Sequence, residues 1–272
     1  MSTAATYILG THNEELERLG FQHRVWADDA HELWRRANIG RGQSVLDLGC
    51  GPGFASFDLA DIVGHEGSII GVDRSKEYIR YALDRTKNTH ISNTSFICSD
   101  FASMHLGSEQ FDAAYARWVF SWVRDVDHVI AKVAASLKPG GVFAVQEYIQ
   151  WGTFRFVPEH PDLRAMIEAC RESWRLMDSE IDIGRTLSER FEKFGLKITH
   201  VAPLERTARS NSLTWQWPTE FLKIYAKQLI TLGLLTEVQL DRYLAVLPEI
   251  EKNNSAFLVT PLMIEIIGEK SA

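Results

Sequence analysis

The chain of 272 residues holds only three cysteines, Cys50, Cys98 and Cys170, widely spaced and without a Cys-x-x-Cys pair. An odd, scattered set argues against a disulfide framework and a structural zinc site, and it suits a reducing compartment. No apolar run approaches the length of a membrane span, and residues 1–20 lack the apolar stretch of a secretion signal. A cytoplasmic protein with no membrane partner is expected. Basic excess is also missing, because 29 Lys and Arg stand against 36 Asp and Glu, a net charge of −7. A protein that grips a phosphate backbone normally carries a basic stripe, so no nucleic-acid partner is expected. No set of His, Cys, Asp and Glu has metal-ligand spacing, and no Gly-x-Ser-x-Gly elbow occurs, so no metal is expected. Nothing in the sequence specifies an oligomeric state.

What is present is ordinary for a globular chain: 45% hydrophobic and 24% charged residues. Residues 1–40 read as helical, with Phe21, Val25, Trp26, Ala30, Leu33, Trp34 and Ala37 on one face. From 44 to 150 strands and helices alternate. Strands are predicted over 44–48, 67–72, 94–98, 111–116 and 142–148, and helices over 54–63, 76–87 and 127–137. Short βα connections predict an α/β fold, a mostly parallel sheet with helices on both faces. Beyond 150, helices are predicted over 161–176, 187–194, 218–231 and 237–250, with strands over 197–203 and 257–267. The organisation expected is an N-terminal helical segment over 1–40 and a core over 41–205. A helical cap insertion over 206–256 and a last core strand with its tail over 257–272 complete it.

The sharpest signal is Val45-Leu46-Asp47-Leu48-Gly49-Cys50-Gly51-Pro52-Gly53-Phe54. A buried strand runs into a glycine turn, and a helix opens after it. Glycine permits close backbone approach, and a helix N-terminus offers unpaired N–H groups. Asp73 ends the next strand, where an acid can accept hydrogen bonds from both ribose hydroxyls. The spacing is not the Gly-x-Gly-x-x-Gly of a dinucleotide site, since Phe54 stands where the third glycine belongs. Asp47 would repel a pyrophosphate and attract a cation. An NAD(P)-dependent oxidoreductase, the rival enzyme class, would also want a Tyr-x-x-x-Lys pair, and none is found.

Together with four later motifs, this loop resembles the class I S-adenosylmethionine-dependent methyltransferases over roughly residues 40–150. Those motifs are Gly71-Val72-Asp73, Cys98-Ser99-Asp100-Phe101, the fourth strand Phe111–Arg117, and Leu137-Lys138-Pro139-Gly140-Gly141. The resemblance implies a Rossmann-like, seven-stranded sheet, S-adenosylmethionine as cofactor, S-adenosylhomocysteine as product, and a small-molecule acceptor. It further implies that Asp47 orients the loop and the methionine end. Gly49, Cys50, Gly51 and Gly53 would form the loop that lines the methionine moiety. Asp73 would hold the ribose, Arg74 would lie along the adenine, and Asp100 and Phe101 would meet the adenine edge. Arg117 and Trp118 would stand near the methionine and the substrate. Tyr7, Gln22 and Trp26 are the candidates from an N-terminal helix that closes over the cofactor.

Methyl transfer from a sulfonium is an in-line displacement, in which alignment can supply much of the rate. Where the acceptor carries a proton, a base helps, and His23, His105 and Glu147 are the candidates. The chain has eight Trp, seven Tyr and fourteen Phe. Trp118, Phe120, Trp122, Tyr148 and Trp151 follow the fourth and fifth strands and point to an aromatic acceptor pocket. No Asn-Pro-Pro-Tyr sequence follows the fourth strand, which disfavours exocyclic amines of nucleic acids. A protein of this fold that binds the cofactor without transferring its methyl group is the remaining alternative.

Overall fold

Strands buried on both faces read as unbroken apolar runs, and Val45-Leu46 and Ala113–Ala116 are of this kind. A computed structural model describes residues 13–89, 91–177 and 179–271. Tyr7 lies outside the described residues. The first half of the chain folds as α1 (Asn13–Arg36), β1 (Ser44–Leu48), α2 (Phe54–Val63), β2 (Ser68–Asp73), α3 (Lys76–Lys87), β3 (Thr94–Cys98), β4 (Phe111–Arg117), α4 (Val126–Ser136) and β5 (Leu137–Gln150). The rest follows as β6 (Arg155–Val157), α5 (Pro161–Leu176), α6 (Gly184–Lys193), β7 (Leu196–Leu204), β8 (Thr207–Arg209), α7 (Leu213–Thr231), α8 (Glu237–Lys252), β9 (Phe257–Val259) and β10 (Leu262–Lys270).

Two compact units result. One holds Trp26–Glu147, Ile183–Pro203 and the chain from Ile264 onward. Its seven strands run in the order β3-β2-β1-β4-β5-β10-β7, the mostly parallel sheet expected. β1 pairs in parallel with both β2 and β4, with Asp47 opposite Gly71 on one side and Tyr115 on the other. The strand order reverses at that point, and in open α/β sheets ligands bind outside the strands' carboxyl ends there. Leu46, Leu48, Ala114, Ala116, Phe143 and Val145 pack on one face with Ile130 and Val133 of α4 and Leu187 and Phe191 of α6. Val45, Ile69, Ala113 and Tyr115 pack on the other with Ala30, Leu33 and Trp34 of α1 and Leu59 and Val63 of α2. Ser75 and Asp125 cap α3 and α4 by accepting from the N–H groups of Tyr78 and His128.

The second unit holds the described residues up to Val25, with Tyr148–Asp182 and Leu204–Met263. Here α5 packs on α7 and α8. A small antiparallel sheet runs β6-β9-β8. Its interior is aromatic: Trp151 and Trp174 rings lie 5.9 Å apart, and Phe156 and Trp215 5.3 Å apart.

Three expectations need correction. The single last strand over 257–267 is two strands. β9 belongs to the small sheet and β10 to the large one, and Pro261, which lacks an N–H, stands at the break. The turn Lys138–Gly141 is absorbed into β5 as an irregularity between the pairs Phe111–Leu137 and Ala113–Val142, with Gly140 at φ 74°. Helix α7 starts at Leu213, capped by Ser212, with Pro218 inside it rather than at its head. Among the described residues no helix is long and apolar enough to cross a membrane.

Candidate functional site

The glycine turn after β1 is built on two carboxylates. Asp47 is 2% exposed. Its one hydrogen bond among the described residues comes from the Ser56 hydroxyl, at 2.5 Å to Oδ2. Burial pushes its carboxyl up to about 7, against the pull of the Ser56 hydroxyl and the Arg117 charge. Asp73, 7% exposed, accepts from the Gly51 N–H at 3.0 Å through Oδ2 and from the Ser75 N–H at 2.8 Å through Oδ1. Burial raises its pKa despite those bonds. The turn itself is held by the Gly49 N–H on the Val72 carbonyl, 2.8 Å.

Two glycines are required here for different reasons. At Gly49, φ 70°, a Cβ would run into the Val119 methyl group Cγ2. At Gly51, φ 53°, nothing lies within 4 Å of where a Cβ would stand. The first is a close approach of β1 to the turn after β4, and the second is an open cradle that a side chain would fill. Gly53, φ 84°, stands at the head of α2, and no side chain caps that helix among the described residues. Cys50 is buried in the loop, and burial beside Asp47 and Asp73 pushes its thiol up, which disfavours the reactive thiolate.

The other edge of the site follows β4. Arg117 Nη1 donates to the Trp26 carbonyl at 3.3 Å, and its guanidinium lies 5.0 Å from the Trp118 ring. Trp26 and Trp118 meet edge-on at 6.1 Å. Three of the expected residues are thereby brought together. Beyond β3, Asp100 is exposed and its Oδ1 accepts from the Ala102 N–H at 2.9 Å, while Phe101 packs partly against the core. Arg74 follows Asp73, and its carbonyl faces the Cys98 thiol at 3.6 Å. Gln22 and His23 belong to the other unit. There Gln22 Oε1 accepts from Arg18 Nη1 at 2.9 Å and from the Trp217 indole at 3.0 Å. His105 is an exposed loop residue.

A buried polar chain escaped the sequence reading. The Tyr115 hydroxyl donates to Gln146 Oε1 at 2.9 Å, and Gln146 Nε2 donates to Glu265 Oε1 at 2.7 Å. His200 Nε2 stands 3.9 Å from Glu265 Oε2. The chain crosses β4, β5, β10 and β7, adjacent strands of the sheet. Burial raises the pKa of Glu265 and lowers that of His200. Polar Gln146 and Glu147, in an otherwise apolar strand, were its one visible trace.

A model of the methyltransferase domain matches residues 39–195, more than half of the chain. The chain belongs to this family, the class I S-adenosylmethionine-dependent methyltransferases. It is 28% identical over 202 residues to the sterol 24-C-methyltransferase erg6 of Aspergillus fumigatus, covering 72% of this chain and 50% of that one. It is 30% identical over 145 residues to the 2-phytyl-1,4-naphtoquinone methyltransferase of Nostoc punctiforme, covering 53% and 59%. Its fold is similar to that of Haemonchus contortus phosphoethanolamine N-methyltransferase 2 in complex with S-adenosyl-L-methionine. The TM-score there is 0.57 at 16% identity, over 91% of this chain and 53% of that one. The chain spans about half the length of the first curated relatives it matches, 50%, 48% and 47%.

Proposed function

We propose that the chain binds S-adenosylmethionine where β1, β2 and β4 end and transfers its methyl group to a small-molecule acceptor, with S-adenosylhomocysteine as product. The observation that carries this reading is the pair of buried acids, Asp47 and Asp73, beside a glycine turn with open space at Gly51. The residues fit the cofactor. Asp73 spends one N–H bond on each oxygen, and a carboxylate oxygen has a second lone pair for a ribose hydroxyl. Among the described residues Asp47 forms no ion pair, and a positively charged methionine end would restore its charge.

The bound cofactor supplies a methyl group on a cationic sulfur that leaves as a neutral thioether. The protein's part is then to hold and align. The backbone of Gly49, Cys50, Gly51 and Gly53 lines the methionine end, and Arg74, Asp100 and Phe101 take the adenine end. Arg117, Trp118 and Trp26 border the reacting side, where aromatic faces suit a sulfonium. Relatives named for sterols and for a phytyl naphthoquinone support a small organic acceptor. The three free thiols, Cys50, Cys98 and Cys170, support work in the cytoplasm.

Calorimetric titration with S-adenosylmethionine, NAD and NADP in parallel tests the reading. Micromolar binding of the first alone is expected, followed by S-adenosylhomocysteine formation when an acceptor is supplied. Binding of a nicotinamide cofactor alone would overturn it. Binding of S-adenosylmethionine without turnover on any acceptor would leave a binding protein of this fold.

A further inference from the structure

Glu147 stands at the end of an apolar strand, where a base for the acceptor is expected, yet its carboxylate faces a different task. Three consecutive backbone N–H groups leave β4. The Trp118 N–H donates to the Gln146 carbonyl at 3.0 Å. The Val119 and Phe120 N–H groups both donate to Glu147 Oε1, each at 2.6 Å. Trp118 is left-handed at φ 54°, and Val119 is right-handed at φ −99°, ψ −49°. A left-handed residue followed by a right-handed one turns successive N–H groups to the same side and makes a concavity for an anion. In this protein a carboxyl oxygen of its own buried glutamate fills that concavity.

The left-handed region is costly for a residue as bulky as tryptophan, and it persists only when its surroundings over-determine it. Here the neighbouring pair Gln146 and Glu147 supplies that constraint from one strand. What the turn presents is the Arg117 guanidinium, on the Trp26 carbonyl, and the Trp118 ring, edge-on to Trp26. Glu147 Oε1, shared by two short N–H bonds, is committed to the chain.

We propose that Glu147 is a positioning residue whose carboxylate fills the Trp118–Phe120 concavity and thereby holds Arg117 and Trp118 at the cofactor site. It takes the place of the general base expected at this position, and it rests on the cofactor reading above. Two variants and two measurements test it. Glutamine keeps an oxygen that can accept both N–H groups, whereas alanine keeps none.

Backbone hydrogen exchange at residues 118–120 is read without any cofactor, and the S-adenosylmethionine Kd is read by calorimetry. In Glu147→Ala, exchange at these amides is expected to quicken, and Kd to rise, each by about tenfold. In Glu147→Gln both are expected to stay within about threefold of the wild type. Unchanged exchange in Glu147→Ala, or a glutamine variant as impaired as alanine, overturns the clamp. Faster exchange with an unchanged Kd overturns the positioning role. Should the wild type fail to bind S-adenosylmethionine, the cofactor reading falls, while exchange still decides the clamp.

Discussion

Asp47→Asn separates the cost of a buried acid from its use. Burial lifts the Asp47 carboxyl from an ordinary 3.8 to about 7 in the folded chain. The fold therefore binds this proton more tightly than the unfolded chain does. Below about pH 4 the acid is protonated in both states and costs nothing extra. Between about 4 and 7 stability falls as pH rises, and above about 7 the loss is complete. A gap of about three pH units corresponds to about 4 kcal/mol, and relaxation around the charge reduces this to about 2–4 kcal/mol. Asparagine keeps the shape and a partner for the Ser56 hydroxyl. The variant should match the wild type near pH 4 and exceed it by that amount at pH 8, in urea melts across the range. Cofactor affinity should move the other way. Wild-type binding of a cation tightens as Asp47 ionises through pH 7, while the variant binds more weakly at pH 8 and shows no such slope. A stability difference that does not change with pH, or equal affinity slopes in the two proteins, would refute the argument.

Other perturbations have equally definite outcomes. Gly49→Ala places a methyl group against Val119 at φ 70° and should cost at least about 2 kcal/mol in urea unfolding. Gly51→Ala meets no atom within 4 Å, so its left-handed φ of 53° should cost only about 1–2 kcal/mol, while S-adenosylmethionine affinity, read by calorimetry, falls further than stability does. Asp73→Ala removes the acceptor for the Gly51 and Ser75 N–H groups and should weaken S-adenosylmethionine binding about 10- to 100-fold in the same titration. Gln146→Leu strands the Tyr115 hydroxyl and the Glu265 carboxylate in the sheet and should cost about 2–4 kcal/mol, visible as a lower Tm, whereas Tyr115→Phe should cost about 1 kcal/mol.

The legible parts of this protein are those carried by adjacent residues. Asp47, Gly49 and Gly51 share one turn, and Asp73 closes the next strand, so spacing alone brought them to one edge of the sheet. β1, β2 and β4 were legible because burial on both faces makes them largely apolar. The small sheet was not, since β6, β8 and β9 are three residues each, too short for a period to show. Gln146 and Glu265 are 119 residues apart, and no local pattern announces such a partner. For Glu147 the position was legible and the direction was not. Its orientation depends on Trp118 adopting a positive φ, which a tryptophan rarely does and no propensity would suggest.

The three acids at the carboxyl edge of the sheet differ in how far the fold itself has used them. Glu147 gives one oxygen to two backbone N–H groups, each at 2.6 Å. Asp73 gives one N–H bond to each oxygen and keeps lone pairs beside the glycine turn. Asp47 receives a single hydroxyl and feels Arg117 only through its charge. Hydrogen bonds to a carboxylate favour its ionised form, and burial without them favours the neutral one. The least satisfied acid is therefore the one whose charge a bound cation would restore. The distribution of donors accords with the proposed roles, Asp47 toward the cation, Asp73 toward neutral hydroxyls and Glu147 toward the frame.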